Sequence, residues 1–362
     1  MTKKYIFSLA REEILKLIPY KSARDDFSSD QKKMIMMDAN ENPFENGLNR
    51  YPDPMQLKLK KRIAESKKVN IEQIYLGNGS DDVINQLIVA FCRPNVDSIL
   101  ICPPTFGMYE VHANLNSIKS LKVPLNFKFE LDDDSIFSSI KKNTKVIFIP
   151  NPNNPTGNSF SDLKIQKLID NFGGIVVIDE AYSEFYEGDS FVPMISKHKN
   201  LVVVQTFSKG QGLAGARLGM CFANKYIIEI LNKIKAPYNI NSLTIDAALK
   251  KLDEQGVVYQ QVSEIIQEKH RLLNEIKNVK FIKKIYKSDA NFFMIKVDNG
   301  NKRYKQLLEL GIVVRNTSKY YNCENTLRIT VGKKDENNAL ISVLSKMDLK
   351  WKKYFLLIEM GH

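Results

Sequence analysis

From about residue 55 to residue 235 the chain alternates short, nearly continuous runs rich in β-branched residues with helix-like stretches, and few architectures accept that rhythm. Runs without polar alternation are what strands need when helices cover both of their faces. Seven strand candidates can be counted, several of them such runs: Ile74 to Gly77, Ser98 to Cys102, Ile118 to Val123, Val146 to Ile149, Ile175 to Asp179, Leu201 to Phe207 and Leu218 to Phe222. Helices are expected between them, among others over Met55 to Lys68, Asp81 to Phe91, Ser161 to Asn171 and Lys225 to Ile234. The expectation is an α/β domain on a central, seven-stranded, mostly parallel sheet.

Beyond Pro237 the texture changes. A long helical stretch near 242 to 276 precedes apolar strand candidates at Phe292 to Val297, Ile312 to Val314 and Leu327 to Val331, and a last helix is expected over Asn337 to Lys346. That pattern reads as a smaller α+β domain. The chain is therefore divided into an N-terminal arm (1–30) packing with the small domain or a partner subunit, a large domain (31–236), a small domain (237–350) and a tail (351–362) with no assigned role. At about 150 residues per domain, 362 residues agree with two or three units.

The formal charge of +12 would suit nucleic acid if it were concentrated, but lysine doublets such as Lys67-Lys68, Lys141-Lys142 and Lys333-Lys334 are spread along the chain. A solvated basic surface is the reading, without nucleic-acid partners. Cys92, Cys102, Cys221 and Cys323 lie far apart with no C-x-x-C spacing, which argues against a metal site or a disulfide framework. His112, His198, His270 and His362 fall in no catalytic spacing. Tyr5 to Ala10 is too short for a signal peptide's apolar region, and no run approaches the ~18 apolar residues of a membrane span, so no membrane and a cytoplasmic location are expected.

In an open α/β sheet, ligands bind beyond the carboxyl ends of the strands. Four such ends are unusual. Gly77-Asn78-Gly79-Ser80-Asp81-Asp82 is a glycine turn feeding a helix whose N-terminus suits a phosphate, although Ser80 serves equally as an N-cap. Pro150-Asn151-Pro152-Asn153-Asn154-Pro155-Thr156-Gly157 is a rigid turn presenting asparagines. Asp179-Glu180-Ala181-Tyr182 places a carboxylate at a strand end and a phenol three residues on; alone, that aspartate reads as a cap or turn residue. Ser208-Lys209 leads into a segment holding four of the chain's 17 glycines between 210 and 219, with Arg217 inside it. A lysine there can form a Schiff base once its pKa is lowered.

Taken together, Pro152-Asn153-Asn154-Pro155-Thr156-Gly157, Asp179-Glu180-Ala181-Tyr182 and Ser208-Lys209 with Arg217 resemble the aspartate-aminotransferase superfamily, fold type I enzymes using pyridoxal 5′-phosphate, in order and approximate spacing. Over nearly its full length the chain is similar to the histidinol-phosphate aminotransferase family within it. The marks are Pro19-Tyr20-Lys21-Ser22-Ala23-Arg24, Asp38-Ala39-Asn40-Glu41-Asn42-Pro43, Tyr51-Pro52-Asp53-Pro54, Pro103-Pro104-Thr105-Phe106-Gly107-Met108-Tyr109, Ala236-Pro237-Tyr238 and Leu327-Arg328-Ile329-Thr330-Val331-Gly332.

The resemblance implies a homodimeric transaminase exchanging an amino group between histidinol phosphate and 2-oxoglutarate in histidine biosynthesis. It gives Lys209 as the Schiff-base lysine and proton carrier, and Asp179 as the partner of the pyridine nitrogen. Asn154 and Tyr182 fall at the ring's 3′ oxygen, and Phe106 on the ring face. Ser208, Arg217 and the backbone at Ser80 and Asp81 fall at the cofactor phosphate, with Tyr51 reaching that phosphate in the partner subunit. Arg315 and Arg328, with Tyr20 and Asn40, are the substrate-binding candidates. By itself Arg315 also reads as a surface strand end. Phe106 replaces the family's usual tyrosine and keeps the stacking face without the hydroxyl; Asp82 stands where glutamate is commoner, and Gly210-Gln211 where Ala-Phe or Ala-Tyr is usual. Rival readings are an aromatic amino-acid aminotransferase, a threonine-phosphate decarboxylase, and a non-enzymatic regulator on the same scaffold.

Overall fold

The computed structural model describes residues 2–20 and 35–359, with side chains through residue 349. The chain opens with α1 (Thr2–Leu9), α2 (Glu12–Lys16) and α3 (Leu57–Lys67), then β1 (Ile74–Gly77), α4 (Ser80–Phe91), β2 (Ser98–Ile101), α5 (Met108–Leu115) and β3 (Lys119–Lys122). It continues through α6 (Asp133–Ser139), β4 (Thr144–Pro150), α7 (Asp162–Asn171), β5 (Ile175–Asp179), β6 (Leu201–Thr206), β7 (Gly219–Ala223) and α8 (Lys225–Ile234). The remaining elements are α9 (Ser242–Asp253), α10 (Gln255–Ile276), β8 (Ile282–Ile285), β9 (Phe292–Val297), α11 (Gly300–Glu309), β10 (Arg315–Asn316), β11 (Thr326–Thr330) and α12 (Lys334–Glu359).

All seven expected strands form one sheet, in the order β1-β7-β6-β5-β4-β2-β3. The β6, β5, β4, β2 and β3 pairings are parallel, and β7 runs antiparallel to both of its neighbours. Alternation along the central strands explains why their sequences show no polar face. Val146, Phe148, Ile175, Val177, Val202 and Val204 pack under α4, α5 and α8, while Ile147, Ile149, Val176, Ile178, Leu201 and Val203 pack toward α3 and α7. β5 is the middle strand of the seven, so Asp179, its last residue, ends between Pro150 and Val204 in the most enclosed part of the sheet.

The small domain is a four-stranded antiparallel sheet, β10-β11-β9-β8, covered by α10, α11 and α12. Four expectations are corrected. The stretch 242–276 is two helices separated at Glu254. The short strand after α11 is Arg315–Asn316 instead of Ile312 to Val314, because only those two residues pair with β11. The last helix begins at Lys334 and runs to Glu359, through part of the segment taken as a tail. Residues 2–16 lie on the large domain rather than the small one: Ile6 is fully buried in the cluster shared with α8, and Arg11 N–H donates to Ala90 O at 3.0 Å.

A partly buried ion pair anchors the small domain. Arg303 on α11 is 2% exposed; it meets both Asp298 oxygens, at 2.6 and 2.8 Å, and lies over the Phe281 ring. Removing one partner of such a pair leaves the other uncompensated. Arg303→Ala is expected to destabilise the small domain by about 2 kcal/mol, read as a lowered urea midpoint.

Candidate functional site

A cavity of about 520 Å³ opens at the carboxyl ends of β4, β5 and β6. It adjoins the point between β2 and β4 where the strand order reverses, and the small domain closes its far side with Arg315, Tyr320 and Arg328. The structure brings together in it Ser80, Asp81, Phe106 and Asn154, then Asp179, Tyr182, Ser208 and Lys209, then Arg217, Arg315 and Arg328.

One corner is built for an anion. Gly79 precedes α4 with φ of 86°, and a Cβ there would lie 2.6 Å from Arg217 Nη2. A Cβ on Gly219 would fall 2.3 Å from the Gly79 carbonyl carbon and the Ser80 nitrogen. These two glycines let the Arg217 guanidinium and the start of α4 converge, and Arg217 itself takes a left-handed backbone conformation at φ of 54°. Its Nη2 is 3.3 Å from Asp81 Oδ2. The first amides of α4 have no intrahelical acceptor and point where the helix dipole favours negative charge. The Ser208 hydroxyl accepts from Thr206 Oγ1 at 3.0 Å, which leaves its own proton to donate.

Asp179 and Lys209 supply the charge at the centre. Asp179 is buried; Oδ1 accepts the Ala181 N–H at 3.1 Å and Oδ2 accepts the Tyr109 hydroxyl at 2.6 Å. Burial pushes its carboxyl up to about 6 against those two hydrogen bonds. Lys209 opens to the cavity, its Nζ 5.7 Å from the Tyr182 ring centre. Partial desolvation, then Arg328 and Arg217, hold its ammonium below the usual lysine range, against the pull of Asp81 and Asp179. Tyr182 is pushed up to about 12, chiefly by burial.

The asparagine turn carries a relay between domains. Asn153 donates to Pro104 O at 2.9 Å and to Thr156 Oγ1 at 2.7 Å, so the turn is fixed to the loop after β2. Asn154 donates to the Tyr182 hydroxyl at 3.4 Å and accepts from Arg328 Nη1. Behind it, Gly157 O accepts from the Asp289 N–H at 2.8 Å, and Asp289 Oδ2 accepts from Ser159 N and Oγ at 3.0 and 2.6 Å. Arg315 and Arg328, thirteen residues apart in sequence, are direct cross-strand partners on β10 and β11.

Tyr51, Asn40 and Tyr20 lie outside this cavity in their own chain. Tyr51 stacks on Tyr238 with ring centres 4.4 Å apart, Asn40 is exposed, and Tyr20 is 77% exposed. Two residues that sequence reasoning did not single out belong to the site. Tyr109 meets Asp179 from the first turn of α5, and Tyr320 lines the cavity beside the arginines. The available signal for Tyr109 was its place three residues after Phe106, at the end of the Pro103-to-Tyr109 motif. Among the described residues no group of His, Cys, Asp and Glu could hold a metal ion, and no helix is long and apolar enough to cross a membrane.

Asp179 also sets a pH dependence. Its carboxyl is raised on folding, so the folded state binds its proton more tightly than the unfolded chain does, and stability falls as pH rises from about 4 to about 6. In the ligand-free protein, Asp179→Asn is expected to raise stability at pH 8 by up to about 3 kcal/mol, a gain that vanishes below pH ~4. Urea titrations at both pH values check it; a loss of stability at pH 8 would contradict the burial argument.

Residues 26–344 match the family model for aminotransferase class I and II. A histidinol-phosphate aminotransferase from Flavobacterium psychrophilum is 50% identical over 342 residues, 94% of this chain and 99% of that protein. Among solved structures, the histidinol-phosphate aminotransferase from Clostridium acetobutylicum superposes with a TM-score of 0.77 at 26% identity, covering 84% of this chain and 92% of that one. The corresponding enzyme from Sinorhizobium meliloti, solved with pyridoxal 5′-phosphate, shares the fold with a TM-score of 0.76 at 18% identity, over 83% of each chain. With the model spanning both domains and every strand end that lines the cavity, the chain belongs to the aminotransferase class I and II family.

Proposed function

We propose that this family member is a pyridoxal 5′-phosphate-dependent transaminase that interconverts histidinol phosphate plus 2-oxoglutarate with imidazole-acetol phosphate plus glutamate, a step of histidine biosynthesis. The observation that carries the substrate is the Arg315–Arg328 pair. Like charges directly opposite on adjacent strands repel, and Arg328 is already held below its usual range by desolvation and by Arg315. Such a pair on a cavity wall favours an anion shared between the two guanidiniums; a phosphate ester or a glutamate carboxylate meets that need.

The residues present fit the cofactor. Asp81 Oδ1 and Thr105 Oγ1 at the cavity are buried without a hydrogen-bond partner among the described residues. The cradle of Gly79, Gly219 and Arg217 suits a phosphate. Ser208, Arg217 and the backbone of Ser80 and Asp81 would hold that phosphate; Phe106 would cover the ring face, Asn154 and Tyr182 would hydrogen-bond the 3′ oxygen, and Asp179 would face the ring nitrogen. When bound, the cofactor supplies an electron sink for the carbon that loses its proton.

Each residue then has a physical task. Lys209 would hold the cofactor, and its lowered proton affinity favours the free amine that would take and return the substrate's carbon-bound proton. Holding that amine beside the carbon replaces a bimolecular proton transfer by an intramolecular one. The ionised Asp179 would favour a protonated ring nitrogen. Arg328 orients Asn154 while facing the substrate anion, so anion binding and the turn bearing Asn154 are coupled through one guanidinium.

The same reading places a second subunit against Tyr51, whose ring pairs with Tyr238 at the mouth of a separate groove beside exposed Leu48 and Leu243. Tyr51 would complete the partner's phosphate site in a homodimer. Four free, buried cysteines support a reducing, cytoplasmic setting.

The test is a single-turnover titration of the cofactor-loaded protein, followed by its visible absorbance, with histidinol phosphate, glutamate, phenylalanine and threonine phosphate. Histidinol phosphate and glutamate are expected to convert the cofactor to its amine form, and phenylalanine far more slowly. Faster reaction with phenylalanine would replace the substrate; carbon dioxide release from threonine phosphate would replace the reaction class. Arg315→Ala is expected to raise the histidinol phosphate KM roughly ten- to hundredfold, the loss of one charge-assisted contact, with cofactor affinity unchanged.

A further inference from the structure

Tyr109 is fully buried, though its only polar atom faces the most consequential carboxylate in the protein. Its hydroxyl lies 2.6 Å from Asp179 Oδ2. Its ring stacks on Phe148 of β4, with centres 4.8 Å apart and planes 13° apart, and meets the Phe106 ring edge-on at 5.6 Å and 87°. The phenol is thus clamped between the floor of the sheet and one cavity-facing aromatic while it touches the other side of the site.

The donor's chemistry is selective. Asp179 forms no ion pair among the described residues: its partners are the Tyr109 hydroxyl and the Ala181 N–H, both neutral. An arginine or lysine in place of Tyr109 would keep the carboxylate ionised, but it would also cancel the negative charge that the site has to present. A phenol favours the ionised form while adding no charge of its own. It stays protonated throughout, because burial and the neighbouring Asp179 hold its ionisation well above the usual tyrosine range. One short bond from a clamped ring also fixes the rotation of the carboxylate, so its other lone pairs keep one orientation toward the cavity.

We infer that Tyr109 is a positioning residue of this transaminase, setting the orientation and ionisation of Asp179 and through it the grip on the cofactor's ring nitrogen. The inference rests on the assignment of Asp179 under the proposed function.

Tyr109→Phe keeps the stacking on Phe148 and removes only the donor. In the cofactor-loaded protein the pyridoxal phosphate dissociation constant is expected to rise about tenfold, and kcat to fall about ten- to hundredfold, while the KM values for both amino donors stay within about twofold. The pH titration of the visible absorbance is expected to move as well, with the thermal midpoint of the cofactor-free protein changed by little. Site-specific Tyr109→3-fluorotyrosine keeps the ring and strengthens the donor, and it is expected to move cofactor affinity in the opposite direction; this arm decides the matter if the phenylalanine variant fails to fold. Unchanged cofactor affinity, absorbance titration and kcat in the folded variants would overturn the inference and leave Tyr109 a packing residue. Asp179→Asn, measured alongside, separates the two levels: if it is crippled and the Tyr109 variants are normal, only the inference fails, whereas if Asp179→Asn also keeps wild-type affinity and rate, the assignment of Asp179 fails and takes the inference with it.

Discussion

The burial of one carboxylate organises much of this molecule. Asp179 ends the middle strand of a seven-stranded sheet, where helices on both faces have removed water from the strands that lead up to it. A lone ionised group is costly in such a place, and the surroundings answer the cost with neutral donors. The rest of the cavity follows from that choice. With no cation spent on Asp179, the positive groups Lys209, Arg217, Arg315 and Arg328 remain to face ligand anions, and they are spread over the cavity wall instead of collapsing onto one acid. The protein gives up local stability for chemistry at a buried strand end, a trade common to functional sites.

The fold was legible where burial was complete. Six of the seven large-domain strands could be read because both of their faces are covered, which writes apolar runs into the sequence, whereas the edge strand β3, with Lys119 and Lys122 exposed, was marked by the buried Ile118 and Val123 that flank it. β8 could not: Ile282 and Ile285 bracket Lys283 and Lys284, both exposed, so this edge strand carries too little apolar signal. α5 and α6 were given no bounds in the sequence because each is short and buries few side chains. The break at Glu254 between α9 and α10 has no proline or positive-φ glycine to announce it.

The site shows the same division. Asn154, Asp179, Tyr182 and Lys209 sit at or within four residues of the carboxyl ends of strands, where topology alone predicts function, and family resemblance supplied their roles. Tyr109 reaches its partner across 70 residues of sequence, and that contact exists only once α5 has packed on β4. The pairing of Arg315 with Arg328 is a fact of strand register, which the thirteen-residue interval between them does not encode. Tyr51, Asn40 and Tyr20 mark the opposite limit: motif resemblance singles them out, while one chain's geometry keeps them outside its own cavity.

The joint between the domains has its own consequence. Gly157 to Ser159 on one side and Ser288 to Asp289 on the other are bound to each other by backbone and side chain alike. A Cβ on Gly157 would strike Ser288 Oγ at 2.5 Å. The two halves therefore do not behave as interchangeable modules. A small domain grafted from a relative would need its own version of 288–289 to match the recipient's 157–159, and drift on one side of the seam obliges compensation on the other. The seam lies only three residues from Asn154, so the segments that set how the domains join are inherited together with the segment that sets how the cofactor is held.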